Sequence, residues 1–575
     1  MELYKEEYYK WLNSNKLTVD EKSELESISN DENIIKERFY TSLEFGTAGL
    51  RGKMRVGTNA MNTHTVAQAT QGLANLIIKE GRANDGVVIA YDSRNNSESF
   101  AKISASVLAA NGIKAYIFDE LRPTPELSFA LRELKCVAGI NITASHNPKE
   151  YNGYKAYWED GAQLPPEHAK TVSAKAQATD IFEGVKKVDF DCAVNSGAIT
   201  IIGSETDEAF LESVLGCMTA PEYTEKYGSK LNILYTALHG TGYKLVPKAL
   251  SMVGVGGLVT VDSQMTPDGN FPTVASPNPE NKECFAEAIK LISEQNIDCN
   301  MIIGTDPDAD RVGLCIRDGN GEFFALNGNQ IGALLTEHII KTRKASGNLP
   351  ENACAIKSVV SANLFDAICE REGVRHISVL TGFKYIGEKI KQWEADGSNT
   401  FIFGYEESQG YLSGGYARDK DAVGASVLLA EMACRLYSEG KTVYEELCGL
   451  YEKYGYYREN VVNVAIGGIN PMKSMSEKMA SLRVSPLDEI AGEKVTAVRD
   501  YSTGIIKCAD GSEKPTGLPE SDMIYYELAD GSAVIVRPSG TEPKIKAYIL
   551  TKADTLEKAI EKTERDTEFS KSLLK

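Results

Sequence analysis

A serine at the end of an apolar run is the first candidate for chemistry in this sequence. The run "VAGINI" leads directly into "TASHNP", which places Ser145 and His146 before a turn-forming Asn-Pro pair. A side chain at the end of a buried strand can project into a crevice, and the turn exposes it. A capped turn is the plain alternative, but His146 and the nearby Lys155 favour a serine that is a nucleophile or carries phosphate.

Three aspartates at alternate positions form the second candidate. The stretch "IIGTDPDADR" carries Asp306, Asp308 and Asp310 after an apolar strand. Such carboxylates repel one another unless a cation lies among them, and all-oxygen ligands favour a hard ion such as Mg²⁺. A solvated acidic turn is the alternative. Arg311, directly after the acids, is a candidate phosphate partner.

A glycine loop near the end of the chain combines several groups that bind phosphate. In "RPSGTEPKIK", Arg537 supplies a planar fork and Ser539 and Thr541 supply hydroxyls. Gly540 lets a backbone N–H approach closely. This combination suits a dianionic phosphate, with a plain Pro-Ser-Gly turn as the alternative.

Three other loops carry polar residues that are individually weak signals. In "GYEESQG", Glu406 and Ser408 suit sugar hydroxyls, with solvent-facing glutamates in a turn as the alternative. Lys384 in "TGFKYIG" and Arg51 in "FGTAGLRG" offer positive charge to a phosphate. "RDKDAVG" adds further local positive charge.

Common nucleotide and hydrolase motifs are missing from the sequence. There is no G-x-x-x-x-G-K-[ST] and no G-x-S-x-G. "HGTGYK" begins like a dinucleotide fingerprint, but Leu245 stands where the third glycine belongs. A nucleotide-dependent kinase and an acyl-transfer triad are therefore disfavoured.

The elements that must position these residues alternate between strand and helix. "GVVIAYDS" (86–93) predicts a strand, and the apolar spacing of "SESFAKISASVLAANG" predicts a helix after it. Similar patterns begin near residues 40, 205 and 325. Helices between strands indicate crossover connections and a largely parallel sheet. After about residue 460 the sequence turns β-rich, and the first 40 residues predict a charged surface helix.

The composition indicates a multidomain globular protein. A chain of 575 residues with 42% hydrophobic and 25% charged residues predicts about three to five domains. The net charge of −19 disfavours nucleic acid and anionic membranes as partners. Eleven cysteines without a C-x-x-C pair predict reduced thiols. The first twenty residues have no signal-peptide pattern, so we expect a cytoplasmic protein.

In their order along the chain, these motifs resemble those of the α-D-phosphohexomutase family, which includes phosphoglucomutases and phosphomannomutases. The resemblance runs from "FGTAGLRG" near residue 45 to "RPSGTEPKIK" near residue 540. It is greatest to the branch that handles glucose phosphate or pentose phosphates, which is phosphoglucomutase-2-like. It implies an α/β fold: three similar mixed α/β sheet domains and a C-terminal α+β domain around a central cleft. We expect these at 1–204, with an N-terminal helical extension, 205–324, 325–460 and 461–575.

The resemblance also implies a role for each candidate residue. Ser145 matches the family's phosphoserine, which completes a Mg²⁺ shell with the metal loop. The remaining matches are the metal loop at Asp306, Asp308 and Asp310, the sugar loop at Glu406 and Ser408, the phosphate loop at Arg537, Ser539, Gly540 and Thr541, and the active-site positions Arg51, His146, Lys155, Arg311 and Lys384.

The implied reaction interconverts glucose 1-phosphate and glucose 6-phosphate through a phosphoserine and a bound glucose 1,6-bisphosphate. This is an intramolecular phosphotransferase, classed as an isomerase, whose partner is a small phosphosugar. A phosphopentomutase or phosphomannomutase, an aspartyl-phosphate hydrolase using Asp306 and Asp308, and a non-catalytic phosphosugar-binding protein are the alternatives. We expect no nucleic acid or membrane partner, and a monomer or small homo-oligomer.

Overall fold

A computed structural model describes residues 2–46, 49–467, 471–539 and 544–575. The chain forms two compact units. The first contains Met1–Leu326, Gly387–Asp396 and Ser408–Glu439, and the second contains Asn327–Ile386, Gly397–Glu407 and Gly440–Lys575. No helix in the described ranges combines the length and the apolar character that crossing a membrane requires.

The N-terminal segment is three short helices whose apolar residues form a cluster with Val56 and Ile181 of the first α/β domain, where the sequence predicted one charged surface helix. Thr18 and Glu21 form a capping box at the second helix. Tyr4, Tyr8 and Trp11 lie on one face of the first helix and are buried. The prediction of a charged surface helix did not take this apolar face into account. The helices are Leu3–Leu12, Val19–Ser27 and Glu32–Phe39.

The first sheet has six strands and is mixed. Four neighbouring strands, from Ala138–Ile142 to Ile199–Ile202 in the order below, are parallel to one another. Tyr151–Trp158 lies between Leu50–Lys53 and Ala138–Ile142 and is antiparallel to both. In spatial order the strands are Leu50–Lys53, Tyr151–Trp158, Ala138–Ile142, Val87–Tyr91, Ala115–Phe118 and Ile199–Ile202. The helices are Thr63–Lys79, Ser97–Ala110, Thr124–Glu133, Pro166–Gln177 and Phe190–Asn195, with a 3₁₀ turn at Ala83–Asp85.

The second sheet has five strands and is also mixed. Its central strand Met301–Thr305 is parallel to Asn232–Thr236 and antiparallel to Val312–Arg317. The spatial order is Phe323–Ala325, Val312–Arg317, Met301–Thr305, Asn232–Thr236 and Gly257–Thr260. The helices are Ser204–Leu215, Pro221–Tyr227, Gly242–Met252, Asp262–Met265 and Ala286–Gln295, with 3₁₀ turns at Gly228–Lys230 and Lys282–Phe285.

The third sheet is built on three parallel strands. Ala353–Ser358 lies between Arg375–Val379 and Thr400–Glu406, and Gly410–Leu412 is a further short strand of this part of the chain. Helix Ala422–Ser438, in the first unit, packs on helices of the second α/β domain. The helices are Gly328–Ala345, Leu364–Arg371, Lys384–Asp396, Ala422–Ser438 and Val443–Tyr454.

The C-terminal part is an antiparallel sheet with two helices. Tyr456–Ala465 pairs along its whole length with Lys544–Ala553, so this strand spans the predicted boundary at 460/461. The strands in spatial order are Tyr456–Ala465, Lys544–Ala553, Ala533–Pro538, Ile524–Leu528, Glu493–Asp500, Ile505–Cys508 and Glu513–Pro515, with Glu489–Ile490 beside Glu493–Asp500. The helices are Pro471–Val484 and Leu556–Leu574.

The predicted fold class is confirmed: three domains that combine a sheet with helices precede a β-rich C-terminal part. The exact domain boundaries stay a prediction.

The N-terminal core provides a test of packing. Trp11 is fully buried and makes edge contacts with Phe39, His64 and Phe182. We expect Trp11→Ala to lower the free energy of opening of this helical segment by about 3–5 kcal/mol, because the smaller side chain leaves a cavity. Native-state hydrogen exchange of residues 2–46 measures this change. Leu3→Ala is the control, since the Leu3 side chain is exposed, and equal exchange in the two variants would contradict the assignment.

Candidate active site

Ser145 lies in direct contact with the aspartate triplet. It follows strand Ala138–Ile142 and adopts a left-handed backbone conformation with φ of 53°, which is uncommon for a residue with a side chain. Its Oγ donates a hydrogen bond of 2.8 Å to Asp306 Oδ2 and lies 3.2 Å from His146 Nδ1. The structure therefore brings together two loops that are 161 residues apart in sequence.

A buried arginine holds the backbone of the serine loop. The Arg94 guanidinium donates to the carbonyl oxygens of Ser145 (2.5 Å) and Asn147 (2.6 Å) through one nitrogen. Through another it donates to the carbonyl oxygens of Pro148 (2.9 Å) and Tyr151 (3.0 Å). Because a rigid planar fork satisfies four carbonyls at once, Arg94 stabilises the strained turn that presents Ser145.

The loop that carries the aspartate triplet has the oxygen atoms that a cation site requires. One carboxylate oxygen of each of Asp306, Asp308 and Asp310 lies within 4.8 Å of the others, and all three residues are buried. Asp306 Oδ1 accepts the backbone N–H groups of Asp310 (3.1 Å) and Arg311 (3.0 Å). The Oδ1 atoms of Asp308 and Asp310 have no hydrogen-bond partner among the described residues. Buried carboxylate oxygens without donors fit a hard divalent cation.

A glycine lets a neighbouring loop pack against the metal loop. A Cβ at Gly240 would lie 2.4 Å from Pro307 Cα, so only glycine fits, and the backbone N–H of Thr241 donates to the Pro307 carbonyl at 2.8 Å. The motif "HGTG", which begins like a dinucleotide fingerprint, thus supports Pro307 between Asp306 and Asp308.

Two lysines neutralise part of the acidic charge. Lys155 Nζ donates to Asp308 Oδ2 at 2.7 Å and to Asp310 Oδ2 at 3.2 Å. Lys420 Nζ lies 3.1 Å from Asp310 Oδ2 and 2.9 Å from Asp419 Oδ1. Burial alone would lower the pKa of Lys155, but Asp308 and Asp310 raise it above its ordinary value. Lys155 is therefore protonated at neutral pH in this arrangement.

The pKa values of the three carboxyls are shifted in different directions. Burial, followed by repulsion from Asp308 and Asp310, raises the pKa of Asp306 well above its ordinary value. Burial also disfavours the Asp308 anion, but Lys155 outweighs it and lowers the pKa of Asp308. The pKa of Asp310 is lowered as well, with Lys155 and Lys420 opposing burial and the charge of Asp308. A bound cation would favour the ionised form of all three.

Two arginines and a neutral histidine lie near the serine. Arg51 donates to Asn147 Oδ1 at 3.0 Å, and Arg311 lies 3.8 Å from Glu280. Burial and then the positive charge of Arg311 lower the pKa of Arg51. Burial, Arg311 and Arg51 together lower the pKa of His146 well below its ordinary value. An anionic phosphate near these groups would relieve the repulsion between the guanidinium ions.

The other predicted site residues are described within their own parts of the chain. In the second unit, Glu406 Oε1 accepts the backbone N–H of Gly382 at 2.6 Å, and Lys384 begins the helix that follows. Ser408 is half-buried and belongs to the first unit.

The predicted phosphate loop is partly described. Arg537 is near the end of strand Ala533–Pro538, and the Ser539 N–H donates to the Lys544 carbonyl at 2.8 Å. Gly540 and Thr541 lie outside the described residues.

Comparisons with known proteins place the chain in a family. Sequence models of phosphoglucomutase/phosphomannomutase α/β/α domains I, II and III match residues 42–181, 208–319 and 327–454. A phosphoglucomutase of Staphylococcus haemolyticus is 37% identical over 529 residues, which are 91% of this chain and 92% of the relative. This chain belongs to the phosphoglucomutase/phosphomannomutase family, also called the α-D-phosphohexomutases. The predicted family is confirmed.

Solved structures share the phosphohexomutase fold. A putative phosphomannomutase from Thermus thermophilus matches with a TM-score of 0.68 at 21% identity, covering 93% of this chain and 99% of that one. Parafusin, a phosphoglucomutase from Paramecium, matches with a TM-score of 0.67 at 17% identity, covering 92% of this chain and 96% of that one. At these identities the likeness concerns the fold.

Sequence reasoning missed three residues that contact the serine loop or the aspartate loop. Arg94 comes three residues after strand Val87–Tyr91, at the same sheet edge as Ser145, and this position was its only signal. Thr124 opens a helix and donates to Asp308. Lys420 stands in "RDKDAVG", which was read only as local positive charge.

The cation site can be tested without any assay of turnover. We expect Asp308→Asn to weaken Mn²⁺ binding by more than tenfold, because a charged oxygen ligand is replaced by a neutral amide. A titration followed by electron paramagnetic resonance measures the affinity. Glu294→Gln removes one exposed carboxylate of the same domain and should leave binding unchanged. Wild-type affinity in a folded Asp308→Asn protein would exclude Asp308 as a ligand.

Proposed function

We propose that this protein is a phosphoglucomutase that interconverts glucose 1-phosphate and glucose 6-phosphate. The observation that carries the proposal is the 2.8 Å hydrogen bond from Ser145 Oγ to Asp306 in a buried triplet of aspartates. Such a serine, once phosphorylated, would carry about two negative charges next to a cation site. Relatives at 36–37% identity over about nine-tenths of the chain are phosphoglucomutases.

In the proposed reaction, phosphate passes from Ser145 to a sugar hydroxyl. The bond between phosphorus and Ser145 Oγ breaks, and a bond to the sugar oxygen forms. The proton of the sugar hydroxyl goes to a base, and Ser145 Oγ takes up a proton when it becomes a free hydroxyl. Asp306, Asp308 and Asp310 would hold Mg²⁺, which would neutralise part of the phosphate charge. The product of the first transfer is glucose 1,6-bisphosphate, whose other phosphate then returns to Ser145.

Residues around Ser145 position and stabilise these groups. Arg51 and Arg311 offer guanidinium groups to the phosphoryl oxygens. Lys155 carries a proton and can give it to an oxygen that develops negative charge. His146 is neutral and 3.2 Å from Ser145 Oγ. His146 and Lys155 are therefore the two candidates for moving the proton in the two directions of the reaction.

The mutase cycle also needs contacts that hold the sugar and its non-reacting phosphate. We assign the sugar hydroxyls to Glu406 and Ser408, and the distal phosphate to Arg537, Ser539, Gly540 and Thr541, with Lys384. These assignments follow the family motifs. The domain boundaries at 204/205, 324/325 and 460/461, a cytoplasmic location and a small phosphosugar as the partner are part of the same proposal.

Replacement of the nucleophile tests the proposal directly. We expect Ser145→Ala to lower kcat for glucose 1-phosphate by about three orders of magnitude or more, because no phosphoenzyme can form. The assay contains Mg²⁺ and glucose 1,6-bisphosphate, and intact mass measures the phosphoryl group on the protein. Ser27→Ala, an exposed hydroxyl in the N-terminal helices, is the control. Near-normal turnover of Ser145→Ala would refute the assignment.

The same assay separates the alternatives on this scaffold. Comparison of kcat/KM for glucose 1-phosphate, mannose 1-phosphate and ribose 1-phosphate identifies the preferred sugar. A higher kcat/KM for mannose 1-phosphate or ribose 1-phosphate would contradict the assignment of glucose as the preferred sugar. If none of the three is converted, a non-catalytic phosphosugar-binding protein is the remaining alternative. Phosphate found on an aspartate in place of Ser145 would indicate a hydrolase mechanism.

A further inference from the structure

Thr124 contacts the metal loop through both its side chain and its main chain. It opens helix Thr124–Glu133 in the first α/β domain and is fully buried. Its Oγ1 donates to Asp308 Oδ2 at 2.8 Å, and its backbone N–H donates to the Asp308 carbonyl at 2.9 Å. One residue of the first domain therefore holds both the carboxylate and the backbone of a metal-loop aspartate from the second domain.

Asn141 determines where the Thr124 hydroxyl proton points. Asn141 Nδ2 donates to Thr124 Oγ1 at 2.6 Å, and both side chains are fully buried. An ionised carboxylate only accepts hydrogen bonds, so the hydroxyl proton must point toward Asp308. The hydroxyl then needs a donor on its other side, which the Asn141 amide provides. The result is a directed chain of hydrogen bonds from Asn141 through Thr124 to Asp308.

This chain converges with a second donor on the same oxygen. Asn141 lies opposite Lys155 in the register of strands Ala138–Ile142 and Tyr151–Trp158, and Lys155 Nζ also donates to Asp308 Oδ2, at 2.7 Å. Asp308 Oδ2 thus accepts two hydrogen bonds from the first domain. Its Oδ1 has no hydrogen-bond partner among the described residues and is the oxygen left for a cation.

We propose that Thr124, oriented by Asn141, is a positioning residue that fixes the rotation of the Asp308 carboxylate for cation binding. The inference rests on the proposed function only in taking the aspartate triplet as a metal site. Groups that hydrogen-bond to metal ligands orient them, and their removal typically costs 10–100-fold in metal affinity. Strand Ala138–Ile142 also leads to Ser145. The same strand therefore positions the serine and, through Asn141 and Thr124, the proposed metal ligand Asp308.

Thr124→Val tests the proposal with a side chain of nearly the same shape and no hydroxyl. In the full-length protein we expect Mn²⁺ affinity to fall about 10–100-fold, measured by electron paramagnetic resonance. Thr124→Ser keeps the hydroxyl and should bind Mn²⁺ within about threefold of the wild type. Thr70→Val is the matched control, since Thr70 is a buried threonine of the same domain that donates to the Val66 carbonyl. It should leave Mn²⁺ affinity unchanged.

A folded Thr124→Val protein with wild-type Mn²⁺ affinity would overturn the proposal. If that variant does not fold, Asn141→Ala provides the second test, because it removes the group that orients the hydroxyl and keeps Thr124. We expect it to weaken Mn²⁺ binding by about tenfold, and unchanged binding would again overturn the proposal. Equal losses in Thr124→Val and Thr124→Ser would also contradict a role for the hydroxyl.

The readout separates this proposal from the proposed function. A wild-type protein that binds Mn²⁺ but does not convert glucose 1-phosphate would refute the phosphoglucomutase assignment and leave the role of Thr124 standing. An active wild-type enzyme whose Thr124→Val variant binds Mn²⁺ normally would refute the role of Thr124 alone. A wild-type protein that binds no Mn²⁺ would refute both the cation site at the aspartate triplet and the positioning role of Thr124.

Discussion

The repulsion among three buried carboxylates is the constraint on which the rest of this site depends. Asp306, Asp308 and Asp310 are withdrawn from water, and like charges in a medium of low dielectric constant are costly unless they are compensated. The protein compensates them with Lys155, Lys420 and the Ser145 hydroxyl, each within hydrogen-bonding distance of at least one of the acids. A divalent cation would supply the positive charge that is still needed to compensate the three carboxylates.

The same constraint explains why the serine loop is strained. Ser145 must leave its strand and still direct its Oγ back to Asp306, and the left-handed backbone achieves this within a single residue. Such a conformation is costly unless the surroundings enforce it. Arg94 enforces it by binding four carbonyl oxygens of the loop, while its own charge is balanced by Asp92 at 3.2 Å.

Positive charge is distributed around the acids by role. Lys155 and Lys420 contact the carboxylates, whereas Arg51 lies near Arg311, whose positive charge disfavours the charge of Arg51. A site that keeps two guanidinium ions close together is prepared for an anion. The chain as a whole carries a net charge of −19, so attraction of a phosphosugar depends on these local groups and not on the overall potential.

The chemistry of the individual loops could be predicted from the sequence because it depends on residue type and local spacing. Ser145 after "VAGINI" and the alternate aspartates after "IIGT" are local patterns, and so are the strand and helix periods that predicted the α/β fold. The three buried aromatic residues of the first helix were also visible in the sequence but were masked by the charges around them.

Only the tertiary structure decided which of these local patterns meet. The contact between Ser145 and Asp306, and those of Thr124 and Lys420 with the aspartate loop, join segments far apart in the chain. Arg94 has no motif of its own, because its partners are backbone carbonyls that any sequence would offer. The sequence by itself determined the groups and the elements that carry them. The packing of the first α/β domain and of the segment that carries Lys420 against the aspartate loop decided their partners, because such long-range contacts depend on how whole domains bury their surfaces and not on neighbouring residues.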